Sequence, residues 1–398
     1  MTGRFLANVP RGWLLLACIG LIALNMRGPF VAVAPIAEQL RRDIGFSPVE
    51  LGLLTSIPVL CFALVAPLAS TAGRKLGAEL AITLTLLGVL AGVFVRSAGS
   101  GFLVMAGTVI IGVAITIGNI AVPLIIRRDF SPRRQDTAMG VYTAALNIGS
   151  FLTSVATAPL AEALGWQLAL AATGVLALVA VVFWILAEGF RSAFVPAEVP
   201  AVDPKKGSGL PGSKWMTAGL TIGFAGQAFS YYGVTAWLPS VLADQLGMAP
   251  AQAGAGSSLF QILAIAGGLG VPLVARFART TTVAVTLSVL WLTVPLGLLF
   301  APGLWWLWSS MGGVAQGGGI TLIFIAIIKF ARSQAAAGRM SAAVQGFGYC
   351  FGALAPTVIG FVHGTSGSWT IPLLVILGSV LAFCVCTTLS VRWAARQR

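Results

Sequence analysis

An arginine interrupts the first apolar run of the chain. Leu24–Asn25–Met26–Arg27–Gly28–Pro29 sits inside a stretch from Trp13 to about Ala37, long enough to cross a bilayer, which takes about 20 residues. Arg27 is therefore expected near the membrane midplane, where insertion scales put the cost of an arginine at about 2.5–3.5 kcal/mol. A guanidinium tolerates that depth only by facing a polar cavity or a partner. Gly20, Ala23, Val31 and Ala34 share its face at helical spacing and are mostly small. Pro29 cannot donate to the carbonyl of Asn25, so the helix is weakened beside the charge. Two readings remain: a cationic pocket wall, or an arginine that snorkels or pairs for packing. The association of intramembrane charge with function favours the first.

Other polar side chains fall in the middle of apolar runs. They are Asn25 beside Arg27, then Asn119, Tyr142, Asn147, Gln227, Tyr231, Tyr232, Gln261, Gln316, Gln345 and Tyr349. Gln227 with Tyr231, and Gln345 with Tyr349, are i,i+4 pairs that put an amide and a phenol on one helix face. Such groups can hydrogen-bond a small polar ligand while aromatic rings enclose it. Amides in membranes also tie helices together, at about 0.6 kcal/mol each. The substrate-binding set expected from the sequence is Asn25, Arg27, Asn119, Tyr142, Asn147, Gln227, Tyr231, Gln316, Gln345 and Tyr349. Gly312, Gly313, Gly317, Gly318 and Gly319 around Gln316 suit either close helix packing or a bending gate.

The missing groups narrow the chemistry. No Asp or Glu falls in mid-run, and Glu38, Glu79, Glu162 and Glu188 all lie near run ends. The only histidine, His363, stands at the far end of its run. That leaves no acid–base pair for catalysis, so the chain is not read as an enzyme. No P-loop is present to bind a nucleotide, and no cofactor or metal is expected. The five cysteines, Cys18, Cys61, Cys350, Cys384 and Cys386, all lie inside apolar runs at spacings that match neither a metal site nor a disulfide framework.

The elements that must position these residues are membrane spans. Of the 398 residues, 58% are hydrophobic and 9% charged, far from soluble averages. Regular strand alternation is absent, which argues against a β-barrel. Twelve apolar segments can be counted, at about 13–38, 47–73, 78–95, 101–126, 134–162, 166–187, 215–242, 250–275, 282–300, 305–328, 339–363 and 369–391. Arg4 and Arg11 before the first run imitate a signal peptide, but its length and Arg27 identify a retained helix. The polar stretch from Glu188 to Lys214, with four prolines, reads as a flexible linker. The expected architecture is therefore an all-α membrane protein of twelve transmembrane helices. Two pseudo-symmetric six-helix bundles, 1–187 and 215–398, are joined by a cytoplasmic linker at 188–214.

The net charge of +13 does not mark a nucleic-acid binder, because the basic residues cap run ends. With both termini cytoplasmic, every Lys and Arg falls on the inside except Arg27, Arg41, Arg42 and Arg96, as the positive-inside rule demands. The halves also echo each other. Pro48, Gly52, Ser56 and Arg74 recur at the same spacing as Pro250, Gly254, Ser258 and Arg276. Gly118, Ile120 and Phe130 match Gly318, Ile320 and Phe330 more weakly. Internal repeats are typical of secondary transporters, with the substrate near the midplane.

These residues resemble the major facilitator superfamily and, within it, the cyanate/nitroimidazole transporter family, over nearly the whole chain. Leu24 to Pro29 is similar to that family's Leu-Asn-x-Arg-Pro signature, with Gly28 inserted before the proline. The run Leu53 to Phe62, Gly118–Asn119 with Arg128–Asp129–Phe130, Tyr231–Tyr232 with Trp237–Leu238–Pro239, and Gln345–Gly346 with Gly348–Tyr349, Pro356 and His363 resemble the second, fourth, seventh and eleventh helices. The superfamily's loop motif survives as Gly73–Arg74–Lys75–Leu76–Gly77, without its usual acidic partner. Arg74 and Arg128 are the gating candidates.

The resemblance implies alternating access in a bacterial inner membrane. The expected function is secondary transport of a small solute, an anion such as cyanate or an organic acid, with export of a neutral aromatic such as a nitroimidazole as the alternative. The expected partners are the substrate and the bilayer, with the chain acting as a monomer. Coupling to protons or a counter-transported ion stays open. A receptor or scaffold would need a recognition domain, and the only soluble stretch is the linker.

Overall fold

The structure is a computed structural model that describes residues 11–65, 76–196, 214–275, 277–330 and 334–396. Arg74 and most of the 188–214 linker lie outside the described residues. Among the described residues there is no strand. The chain forms α1 (Arg11–Val31), α2 (Ala37–Ile44), α3 (Pro48–Leu64), α4 (Ala78–Arg96), α5 (Gly101–Asp129), α6 (Pro132–Leu164) and α7 (Trp166–Glu188). After the short α8 (Phe190–Phe194) come α9 (Lys214–Leu246), α10 (Pro250–Val274), α11 (Thr280–Phe300), α12 (Trp305–Phe330), α13 (Gln334–Ser366) and α14 (Thr370–Arg396).

Ten helices among the described residues are long and apolar enough to cross a membrane. The other two expected spans are α3 and α9. Only 17 residues of α3 are described. α9 has 33 residues, but Thr217, Thr221, Gln227, Ser230, Tyr231, Tyr232 and Thr235 dilute its hydropathy. The first span is broken just past Pro29, where the sequence expected a weakened helix. α1 ends at Val31, two residues past Pro29, and a 3-10 turn at Ala34–Ile36 carries Pro35 into α2.

Contacts divide the chain into two units, Met1–Ile44 with Leu60–Ala201, and Gly45–Val59 with Val202–Arg398. In the first unit α1 packs against α6 and α7, and α4 against α5 and α7. In the second unit the same pattern recurs, with α9 against α13 and α14, and α11 against α12 and α14. The internal echo in the sequence thus corresponds to a repeated packing order.

One segment groups differently from the expected halves. Gly45–Val59, the first part of α3, joins the second unit. The reason lies in its Pro48, Gly52 and Ser56 face, whose fourfold spacing stacks the three on one side. A side chain at Gly52 would overlap the Pro356 carbonyl, and one at Gly360 the Pro48 carbonyl. The Ser56 hydroxyl lies 2.9 Å from that of Thr357.

Candidate functional site

In the first unit the site begins with a backbone crossing. A Cβ on Gly149 would run into the Leu24 carbonyl, and one on Gly28 would meet Thr153 at 2.9 Å and the Gly149 carbonyl at 3.3 Å. Only hydrogens at these positions let α1 and α6 touch backbone to backbone. The crossing sets Arg27 beside Asn147, and Arg27 Nη1 donates to Asn147 Oδ1 at 3.3 Å. The Asn147 amide nitrogen is turned back to the Thr143 carbonyl at 2.9 Å, which presents its oxygen to the guanidinium.

A second polar pair adjoins the first. The Tyr142 hydroxyl donates to Asn119 Oδ1 at 3.0 Å and lies 3.9 Å from the sulfur of Met26, the neighbour of Arg27. Gly118 makes room for that methionine, since a Cβ there would meet Met26 Cε at 2.8 Å. Arg27 with Asn147, and Tyr142 with Asn119, thus form two polar pairs on α1, α5 and α6, the second touching Met26 beside Arg27 in the chain. Arg27 and Asn119 are partly exposed, while Tyr142 and Asn147 are buried. A guanidinium held by one amide oxygen suits a small anion or a nitro group.

Asn25 was expected in the same cavity, and the structure gives it another setting. It is 2% exposed, and its amide nitrogen donates to the Leu21 carbonyl at 2.8 Å and the Leu176 carbonyl at 3.1 Å. Two residues from Arg27 is about 200° around the helix, so Asn25 ties α1 to α7 instead.

The second unit handles its polar groups differently. Gln227 is fully buried and donates to the backbone carbonyl of Gln316 at 2.9 Å. Gln261, also buried, donates to the Thr235 hydroxyl at 3.2 Å. Gln227 Oε1, Gln261 Oε1 and Gln316 Nε2 have no hydrogen-bond partner among the described residues. Gly319 leaves space for the Gln227 amide, while Gly313 and Gly317 bring α12 onto the backbone of α10. Tyr231 is buried between the rings of Tyr232 and Phe260, at centroid distances of 4.8 and 6.1 Å. Gln345 and Tyr349 stay partly exposed. Gln345 donates to the Ser341 hydroxyl at 2.8 Å, and Tyr349 meets the Phe224 ring edge at 5.5 Å. His363 stacks on Trp369 at 3.9 Å, a packing role.

Two charged residues escaped the sequence reading. Arg96, counted there among end charges, is fully buried and its Nη1 donates to the Pro29 carbonyl at 2.5 Å. That carbonyl is left over where α1 breaks, so Arg96 caps the broken end. An arginine at a span end gives no sequence signal distinguishing this role from a topological one. Glu79 was set aside as a terminal residue, yet its carboxylate pairs with Arg128 at 2.6 Å. Arg128 also pairs with Asp129 at 2.7 Å, and these two carboxylates, Asp129 foremost, hold the guanidinium above its ordinary value.

Comparison with known proteins follows the same lines. A family model described as Major Facilitator Superfamily matches residues 14–356. The 2-nitroimidazole transporter of Escherichia coli (strain K12) is 31% identical over 364 residues, covering 90% of this chain and 91% of the relative. The cyanate transport protein CynX of the same organism is 27% identical, with coverage of 89% and 91%. Among solved structures, a bacterial homologue of the human lysosomal transporter Spinster superposes with a TM-score of 0.74 at 17% identity. It covers 98% of both chains. At that identity the likeness concerns the fold alone.

Proposed function

This chain belongs to the major facilitator superfamily, and from that premise we propose that it carries a small anion across the inner membrane by alternating access. Cyanate and small carboxylates are the substrate class. The observation that carries this reading is the Arg27–Asn147 hydrogen bond beside the Tyr142–Asn119 pair. Arg27 supplies charge and a planar donor fork. Asn147 orients that fork, and Tyr142 with Asn119 offers a second polar contact. Both termini lie in the cytoplasm, where the basic run ends collect, and the chain acts as a monomer.

The runner-up substrate is a neutral nitroaromatic. It draws support from the 2-nitroimidazole transporter among the relatives. A nitro group can accept two bonds from one guanidinium as a carboxylate does, but it brings no charge. Thermal melting of purified protein separates the two readings, because a ligand that binds only the folded state raises the melting temperature by mass action. Cyanate, acetate and 2-nitroimidazole are compared on wild type and Arg27→Ala. The anion reading requires stabilisation by cyanate or acetate that weakens about 30-fold in Arg27→Ala, the size of a lost charge-assisted bond of about 2 kcal/mol. Stabilisation by 2-nitroimidazole alone, equal in both proteins, overturns it.

A further inference from the structure

Away from this site, the second unit carries an open groove of about 740 Å³ along the first half of α9. The groove exists because α9 packs against both α13 and α14 while those two hardly meet. Its floor includes Ala218, Thr221 and Ala225, and its walls are Phe347 and Phe351 of α13 and Val375 of α14. Phe347 is 63% and Phe351 50% exposed, so the apolar lining opens outward.

The polar groups along it are already committed. The Thr221 hydroxyl donates to the Thr217 carbonyl at 2.7 Å, and the Ser379 hydroxyl to the Ile376 carbonyl at 2.7 Å. Along its length the groove therefore offers hydrocarbon contact. Among the described residues the charged one in its lining is Lys214, the exposed first residue of α9. Further positive charge gathers at that end, because Gly219 of α9 meets Ser390 of α14 and the last turns of α14 carry Arg392 and Arg396. From Lys214 to Phe229 the helix rises about 22 Å, against about 15 Å for the hydrocarbon of one leaflet. A whole acyl chain fits along it with its head at the basic end.

We propose that this groove is a specific site for an anionic lipid, whose acyl chain lies between Phe347, Phe351 and the α9 floor and whose headgroup pairs with Lys214. Any lipid tail gains by covering the apolar walls. Lys214 adds the preference for negative charge, about fivefold for one basic residue at a membrane surface.

The test is native mass spectrometry of the full chain in detergent. It is titrated with phosphatidylglycerol, with phosphatidylcholine of the same chains, and with glycerol phosphate alone. One saturable equivalent of phosphatidylglycerol is expected, about fivefold tighter than phosphatidylcholine, with no retention of glycerol phosphate. Lys214→Gln should narrow the difference between the two lipids, and Ala218→Trp, which fills the open floor, should displace both. Arg27→Ala should change neither, which separates this site from the transport site. Should Ala218→Trp fail to fold, Ala225→Phe closes the groove farther along. Equal retention of both lipids by wild type overturns the headgroup assignment. Full retention in the groove-filling variant overturns the site, and retention of glycerol phosphate alone shows an anion site without the chain.

Discussion

The pairs at Arg27 and Tyr142 in the first unit and the sealed amides of the second hold their polar groups in different ways. In the first, side chains pair with side chains, Arg27 with Asn147 and Tyr142 with Asn119, and one member of each pair keeps an exposed edge. In the second, Gln227 and Gln261 are sealed at 2% exposure or less, and each leaves its oxygen without a partner among the described residues. A buried polar atom left unbonded costs about 1–3 kcal/mol. The first arrangement can exchange a protein partner for a ligand with little rearrangement. The second must open before a ligand reaches it, so its amides act on the stability and motion of α9, α10 and α12. The repeated packing order of the helices does not extend to their chemistry.

The comparison breaks most severely at the glycine crossing. Gly149→Leu should force α1 off α6, remove the Arg27–Asn147 bond and cost about 3 kcal/mol through overpacking. A fall in melting temperature together with loss of cyanate-induced stabilisation would be seen. Normal cyanate binding in a folded variant would show that the crossing does not build the site. Next in size, Arg96→Met should cost about 2 kcal/mol, because the buried Pro29 carbonyl loses its donor. It should do so without the anion loss that marks Arg27→Ala, and thermal melting with and without cyanate reads both quantities.

Smaller effects sharpen the contrast between the units. Arg27→Lys keeps the charge and loses the planar fork, so anion affinity should drop about tenfold, less than in Arg27→Ala. Gln227→Met removes one hydrogen bond and one unpartnered oxygen together, so its stability should stay within about 1 kcal/mol of wild type. Its cyanate affinity should match wild type, while Asn147→Leu weakens binding about tenfold at similar stability. If Gln227→Met weakens anion binding as much as Asn147→Leu, the sealed amides belong to the site after all. At Arg128→Gln the Glu79 carboxylate, only 12% exposed, loses its cation, at an expected cost of about 1 kcal/mol, readable as a melting difference that shrinks with added salt.

Much of this molecule could be read before folding. Burial of apolar runs settles helices in a membrane, because only hydrogen-bonded helices or closed barrels satisfy the backbone in lipid. Pro29 marked the weak point of the first span, and Arg27 marked the charge. Asn119, Tyr142 and Asn147 were legible as polar groups in mid-run. Which way each one points was not, because a helix turns about 100° per residue. Asn25 and Arg27 stand two residues apart and serve different neighbours. Arg96 and Glu79 read as span-end charges, and only the neighbouring helices revealed a cap in one and an ion pair in the other.

The sequence by itself determined the helical spans, their charge asymmetry and the place of Arg27 within the first of them, because these follow from hydropathy and position along one helix. Tertiary structure alone decided the partners. Helix faces meet where glycine lets two backbones touch, as Gly28 and Gly149 do, and that contact joins residues more than a hundred positions apart in the chain. Distance along the sequence carries no record of it.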